Sequence, residues 1–170
     1  IGRLVDQKNQ LLILKSFKLL TEKTNYKFKL LIIGSGENKK KLLNFIRKNN
    51  LNNSIKVTDF KKNPFPYLKK TNAFILSSIF EGLPNVILEA LTLKKLVISS
   101  DCPTGPKEIL DHGKGGLIFK MNNEFDLYKK IIFFIKNKSK SEKLVTHGYN
   151  RLTRFDYQKN LEEYLKILSS

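Results

Sequence analysis

The chain has 170 residues, enough for one ordinary domain with a sizeable core. Its hydrophobic residues, 41% of the total, form no long uncharged run, which excludes a membrane-spanning helix; even the most apolar stretch, Ile131 to Ile135, is bracketed by lysines. A single cysteine, Cys102, excludes an internal disulfide and suits a reducing cytoplasm, and a formal charge of +17 is large for this size.

Lysine supplies most of that charge and is spread along the whole sequence. Nucleic-acid binding, attraction to an anionic membrane surface, and a compositional bias toward Lys, Asn and Ile all fit it. The bias is sufficient for much of it. Of the two functional readings the membrane surface is favoured, because no basic-aromatic motif of a nucleic-acid-binding fold is present.

In chain order, Gly2-Arg3 reads as the exit of a strand, so the chain is expected to start within or just after its first strand; it has no initiator methionine and no visible signal peptide. Arg3 and Lys8, five positions apart, suit a diphosphate: Arg offers a planar fork and Lys a mobile point charge. Taken alone, this segment is better explained as a solvated loop capping a helix that starts near Gln10. Lys29 to Ile33 is a strand ending in the glycine turn Gly34-Ser35-Gly36-Glu37. That turn could bring backbone close to a phosphate or ribose, although it is neither G-x-G-x-x-G nor a P-loop, and a structural turn is the default. Lys39 to Asn49 carries Leu42, Leu43 and Ile46 at helical spacing. Ser54 to Val57 is a short strand, Pro64 to Lys70 a short helix, and Ala73 to Leu76 another strand.

The sharpest signal follows. Glu81-Gly82-Leu83-Pro84-Asn85 opens an apolar helix predicted over 84–93, with a second carboxylate at Glu89. Pro84 in the first turn leaves the N–H groups of Gly82, Leu83 and Asn85 free to face an anion, while the carboxylates can accept sugar hydroxyls. The combination reads as a nucleotide-sugar pocket. Bland alternatives are dipole stabilisation for Glu81 and a surface helix position for Glu89. Beyond it, Leu96 to Ser99 is a strand, and Asp101-Cys102-Pro103-Thr104-Gly105-Pro106 is a turn opening a short helix to Leu110. Gly115 to Phe119 is the last strand; helices are predicted over 125–136, 141–149 and 157–168, with a solvated loop at Lys136 to Lys140. Neither His112 nor His147 is placed beside Cys102 in sequence, so a cysteine nucleophile is not supported, and no metal-ligand spacing exists.

Strands alternating with helices imply an α/β fold, a doubly wound parallel sheet with helices on both faces. In such sheets ligands bind at the carboxyl ends of the strands, and Gly34, Glu81 and Asp101 all follow predicted strands.

In order, Gly2-Arg3 with Lys8, Gly34-x-Gly36-Glu37, Asn63-Pro64, Leu76-Ser77-Ser78 with Glu81 to Val86, Glu89-Ala90, Asp101 to Pro106 and Arg154-Phe155 resemble the C-terminal nucleotide-sugar-binding domain of group 1 glycosyltransferases, glycosyltransferase family 4, retaining enzymes of GT-B type. The resemblance covers essentially the whole chain. It implies a Rossmann-like C-terminal half of a GT-B fold, one donor-binding domain over residues 1–170 with its first strand truncated. The terminal helix, about 157–168, is then expected to pack back toward a missing N-terminal acceptor domain. Arg3 and Lys8 would bind the donor's diphosphate, Glu81 the transferred sugar and Glu89 the ribose. Gly82, Leu83, Pro84 and Asn85 would meet the sugar and distal phosphate, Gly34 would approach the donor, and Phe60 beside Asp59 would line the base.

The implied reaction is hexosyl transfer with retention from a UDP-sugar, less readily a GDP-sugar. The acceptor would be lipid-linked, for example by polyprenyl diphosphate, or a polysaccharide of the bacterial cell surface, such as capsule or lipopolysaccharide. No cofactor or metal is implied, and no nucleic-acid partner. The location would be cytoplasmic, peripheral at the inner face of the membrane. The alternative is a non-enzymatic remnant or binding module keeping the fold. Two departures stand out: Asn9 replaces a usual glycine and tolerates a left-handed conformation, whereas Lys94 replaces a cap glycine, costing on the order of 1 kcal/mol if it turns left-handed.

Overall fold

The computed structural model describes residues 1–168, the side chains at 163, 164, 166 and 168 excepted. Five strands alternate with helices: β1 (Leu30–Ile33), β2 (Ile55–Thr58), β3 (Ala73–Leu76), β4 (Leu96–Ser100) and β5 (Leu117–Phe119). The helices are α1 (Gln10–Lys23), α2 (Lys39–Lys48), α3 (Phe65–Lys69), α4 (Asn85–Thr92), α5 (Pro106–Ile109), α6 (Glu124–Lys136), α7 (Lys138–Asn150) and α8 (Tyr157–Leu168). All strand pairs are parallel, with Leu30 opposite Ile55, Ala73 opposite Leu96 and Ile98 opposite Leu117.

Burial explains the two-sided winding. Every residue of β4 is buried, as a strand covered on both faces requires. Leu96 and Ile98 join a core built with Leu14 and Phe17 of α1 and Leu127 and Ile131 of α6. Val97, pointing the other way, joins Ile87, Ala90 and Leu91 of α4. The α1 stripe of Ile13, Phe17 and Leu20 recurs at helical spacing, and α1 packs along α6.

The sheet differs from expectation in one respect. Hydrogen bonds run β1-β2 and β3-β4-β5, and no ladder joins β1 to β3. Smaller differences are local. The lysine run expected as a loop is largely the first turn of α7, with Asn137 alone separating α6 from α7. Exposed lysines are good helix formers, and a solvated charge run does not by itself mark a loop. A 3-10 turn at Asp6–Lys8 and another at Arg151–Phe155 had no periodic signal. Asn9 and Lys94 both sit left-handed, at φ 46° and 53°, so the lysine cap keeps the turn at its strain cost.

Candidate functional site

The segment before α1 stitches the carboxyl end of β1 to that of β3. Gly2 N–H donates to Ile33 O at 3.0 Å, and Leu4 N–H to Ser35 O at 2.9 Å. Across the sheet, Ile79 N–H donates to Gln7 O at 2.8 Å, Gln7 Nε2 to Phe80 O at 3.0 Å, and Ser77 Oγ to Lys8 O at 2.7 Å. Residues distant in sequence are thereby held on one rim. Gly34 has to be glycine here, because a Cβ would collide with the carbonyl oxygen of Gly2. Its own N–H donates to Thr58 O, so it offers a ligand close approach but no donor.

Lys8 and Glu81 meet at the centre of this rim. Lys8 Nζ donates to Glu81 Oε1 at 2.5 Å, with the side chains only 19% and 8% exposed. Ser78 Oγ donates to the same oxygen at 2.6 Å. Ser78 is itself positioned from behind, since Ser100 Oγ donates to its carbonyl at 2.7 Å. A carboxylate with one oxygen doubly engaged is fixed in orientation and keeps acceptor capacity for a hydroxyl, while Lys8 retains two of its three donors for an anion.

Beside the pair, α4 begins one residue later than predicted. Pro84 is its N-cap at ψ 91°, and Asn85 its first residue. The amides of Gly82, Leu83 and Asn85 donate to no acceptor among the described residues. Gly82 is exposed, and a Cβ there would meet nothing within 4 Å. Packing thus gives no reason for glycine at 82. Gly105 is the reverse: at φ +77°, its Cβ would collide with the Gly82 carbonyl oxygen. The Asp101 to Pro106 turn therefore buttresses the Gly82 loop, and Thr104 Oγ1 adds a hydrogen bond to the Glu81 carbonyl.

The other predicted residues take separate positions. Glu89 lies half-buried inside α4, its carboxylate without a hydrogen-bond or ion-pair partner among the described residues, and its charge reaches the Ile1 amine. Arg3 projects an exposed, unpaired guanidinium, and only its carbonyl is engaged, by Gln10 Nε2 at 2.7 Å. Nothing draws it toward Lys8. Phe60 is 71% exposed on the loop after β2; its N–H donates to Ser35 Oγ at 3.3 Å.

Sequence reasoning did not single out Ser78, Gln7 or Thr104. Ser78 and Thr104 stood inside the quoted motifs, but their roles depend on approaches across the sheet that spacing does not reveal. Cys102 is buried, and that burial pushes its thiol pKa up, the opposite of an activated nucleophile. His147 lies in the last turn of α7, paired with Asp111 at 2.7 Å. No cluster of potential metal ligands occurs among the described residues.

The model of the family described as "Glycosyl transferases group 1" matches residues 1–151. An uncharacterized glycosyltransferase of Methanocaldococcus jannaschii is 39% identical, the match covering 99% of this chain and 48% of the relative. A Campylobacter jejuni enzyme, the N-acetylgalactosamine-N,N'-diacetylbacillosaminyl-diphospho-undecaprenol 4-alpha-N-acetylgalactosaminyltransferase, is 29% identical over 99% of this chain and 45% of its own. The chain spans about half the length of these curated relatives. Among solved structures, Anabaena HepE in complex with UDP-glucose superposes with a TM-score of 0.86 at 21% identity, covering 99% of this chain and 47% of that one. Staphylococcus aureus TarM gives 0.89 at 23%, covering 99% and 34%. At these identities the structures show the fold.

Proposed function

The chain belongs to the group 1 glycosyltransferases, and we propose that it is the donor-binding half of a retaining enzyme that uses a UDP-sugar in cell-surface glycan synthesis. The observation that carries this reading is the set of unclaimed amides at Gly82, Leu83 and Asn85 beside the fixed Lys8–Glu81 pair. A helix start with free N–H groups favours an anion, and the adjoining carboxylate accepts hydroxyls. Gly82, unconstrained by packing, lets a ligand approach the backbone.

In this reading Arg3, the spare donors of Lys8 and the α4 amides take up the negative charge that develops on the departing nucleoside diphosphate. No metal is assigned a part. Glu81 holds hydroxyls of the transferred sugar, with Ser78 and Lys8 fixing its orientation. Glu89, whose carboxylate is unpaired, holds the ribose. Phe60 offers an exposed ring to the base. The acceptor would be lipid-linked or a polymer, as the printed name of the Campylobacter relative indicates for that enzyme. It would be brought by a further domain, consistent with the chain spanning about half of its relatives. The lysine-rich surface suits work at an anionic membrane.

Titration calorimetry in EDTA with UDP, UDP-glucose, UDP-N-acetylglucosamine and GDP tests the proposal. UDP and at least one UDP-sugar should bind; Glu89→Ala should weaken both, and Glu81→Ala should remove only the increment due to the sugar. No heat with any of these nucleotides would refute it.

A further inference from the structure

Two peptide planes aim the amides just before α4. In a trans peptide the carbonyl and the following N–H point in opposite directions. The Glu81 carbonyl accepts from Thr104 Oγ1, and the Gly82 carbonyl is pressed against Gly105, where a Cβ would collide with its oxygen. Both carbonyls are thereby turned toward the segment that leads into α5. The N–H groups of Gly82 and Leu83 consequently face the other way, and neither meets an acceptor among the described residues. The position of α5 therefore decides where these two donors point.

That helix is a single turn of four residues, too short to hold itself. Ile109 and Leu110 anchor it in the apolar cluster that contains Ile87 and Leu91 of α4. Apolar contact is non-directional, so it sets depth but not orientation. Orientation comes from the far end. Arg154, in the 3-10 turn after α7, donates from Nη2 to the carbonyls of Glu108 at 3.2 Å and Ile109 at 3.1 Å. These lie at the C-terminal end of α5, where carbonyls lack helical partners and a cation suits the dipole. The guanidinium is itself held: Nε donates to Arg151 O at 3.3 Å, and the group lies 5.3 Å from the centre of the Phe155 ring. The Arg154 carbonyl accepts from Asn160 Nδ2 of α8 at 3.1 Å, which fixes its backbone.

We propose, on the reading of the α4 start as the donor site, that Arg154 is a positioning residue for that site. It grips α5 by its last carbonyls, and α5 in turn aims the Gly82 and Leu83 amides at the ligand. Arg154 acts from the opposite end of α5 to the Gly82 loop. A lysine would supply the charge but not the flat donor group held at Nε, so the relay depends on the guanidinium.

Three variants test the assignment. Arg154→Met keeps an apolar stem and removes the hydrogen bonds, and Arg154→Lys keeps the charge. Phe17→Leu, a change in the core that packs α1 against the sheet, lowers stability without touching α5. Amide NMR of the ligand-free chain reads the loop, urea unfolding the stability, and calorimetry the affinity for UDP. In Arg154→Met the Gly82 and Leu83 resonances should move and UDP binding should weaken about fivefold or more, the scale of one lost hydrogen bond. Arg154→Lys should fall between that variant and the parent in both readings, and Phe17→Leu should change neither. Resonance changes confined to residues 108–110, changes at Gly82 and Leu83 no larger than in Phe17→Leu, or an unchanged UDP affinity would each overturn the proposal. If Arg154→Met does not fold, Arg154→Lys decides by the same readings. If the parent binds no UDP, the donor-site reading fails by itself, and the ligand-free resonances still decide whether Arg154 sets the loop.

Discussion

Lys8→Met removes the cation from a carboxylate that is 8% exposed. Breaking a fully buried pair costs about 3–5 kcal/mol, because the remaining charge is left uncompensated. Here Ser78 still donates to Glu81, and Lys8 is partly reached by water, so about 2–3 kcal/mol is expected. Replacing Glu81 by Gln as well removes the stranded charge but keeps an oxygen for Ser78, and the double variant should lose only about 1 kcal/mol. The resulting coupling, at least about 1 kcal/mol, is measured by urea unfolding of the four proteins at constant m-value. For a chain of this size the single variant should also unfold roughly 5–10 °C lower. A Lys8→Met loss below about 0.5 kcal/mol, additive with Glu81→Gln, would mean a solvated surface pair and would refute the reasoning.

Two glycines should behave oppositely. Gly82→Ala should leave stability within about 0.5 kcal/mol and weaken UDP-sugar binding, whereas Gly105→Ala should lose about 2–4 kcal/mol in the same urea assay. The hydrogen bond to His147, chief among several causes, holds the Asp111 carboxyl below the usual carboxylate range. Its stabilisation is present above the unfolded value of about 3.9 and lost as pH falls through the folded one. Asp111→Asn should therefore be less stable than the parent near neutrality, the gap closing below about pH 4 in acid unfolding curves.

The strands and most helices were legible because their apolar residues recur at periods that only one element can bury. β4 was visible as a continuous apolar run, and its burial on both faces is the reason for that run. The left-handed positions of Asn9 and Lys94 could be named from the residues expected there. Less legible was whatever depends on distant approach. The Lys8–Glu81 contact spans 73 positions, and the buttress of Gly105 on Gly82 joins two turns that sequence shows only as separate motifs. The order of the strands was not legible for a different reason. Periodicity reports which residues face a core, whereas strand adjacency depends on which edges find a partner.

The proposed nucleotide-sugar site is the α4 start together with the Lys8–Glu81 pair. Its most direct test is an amide NMR titration of the chain with a UDP-sugar in EDTA. Saturable shifts should centre on Gly82, Leu83 and Asn85, extend to Lys8, Glu89 and Phe60, and need more ligand to saturate in Glu89→Ala. Saturable shifts confined to the lysine-rich surface of α2, or no shifts at millimolar ligand, would contradict it.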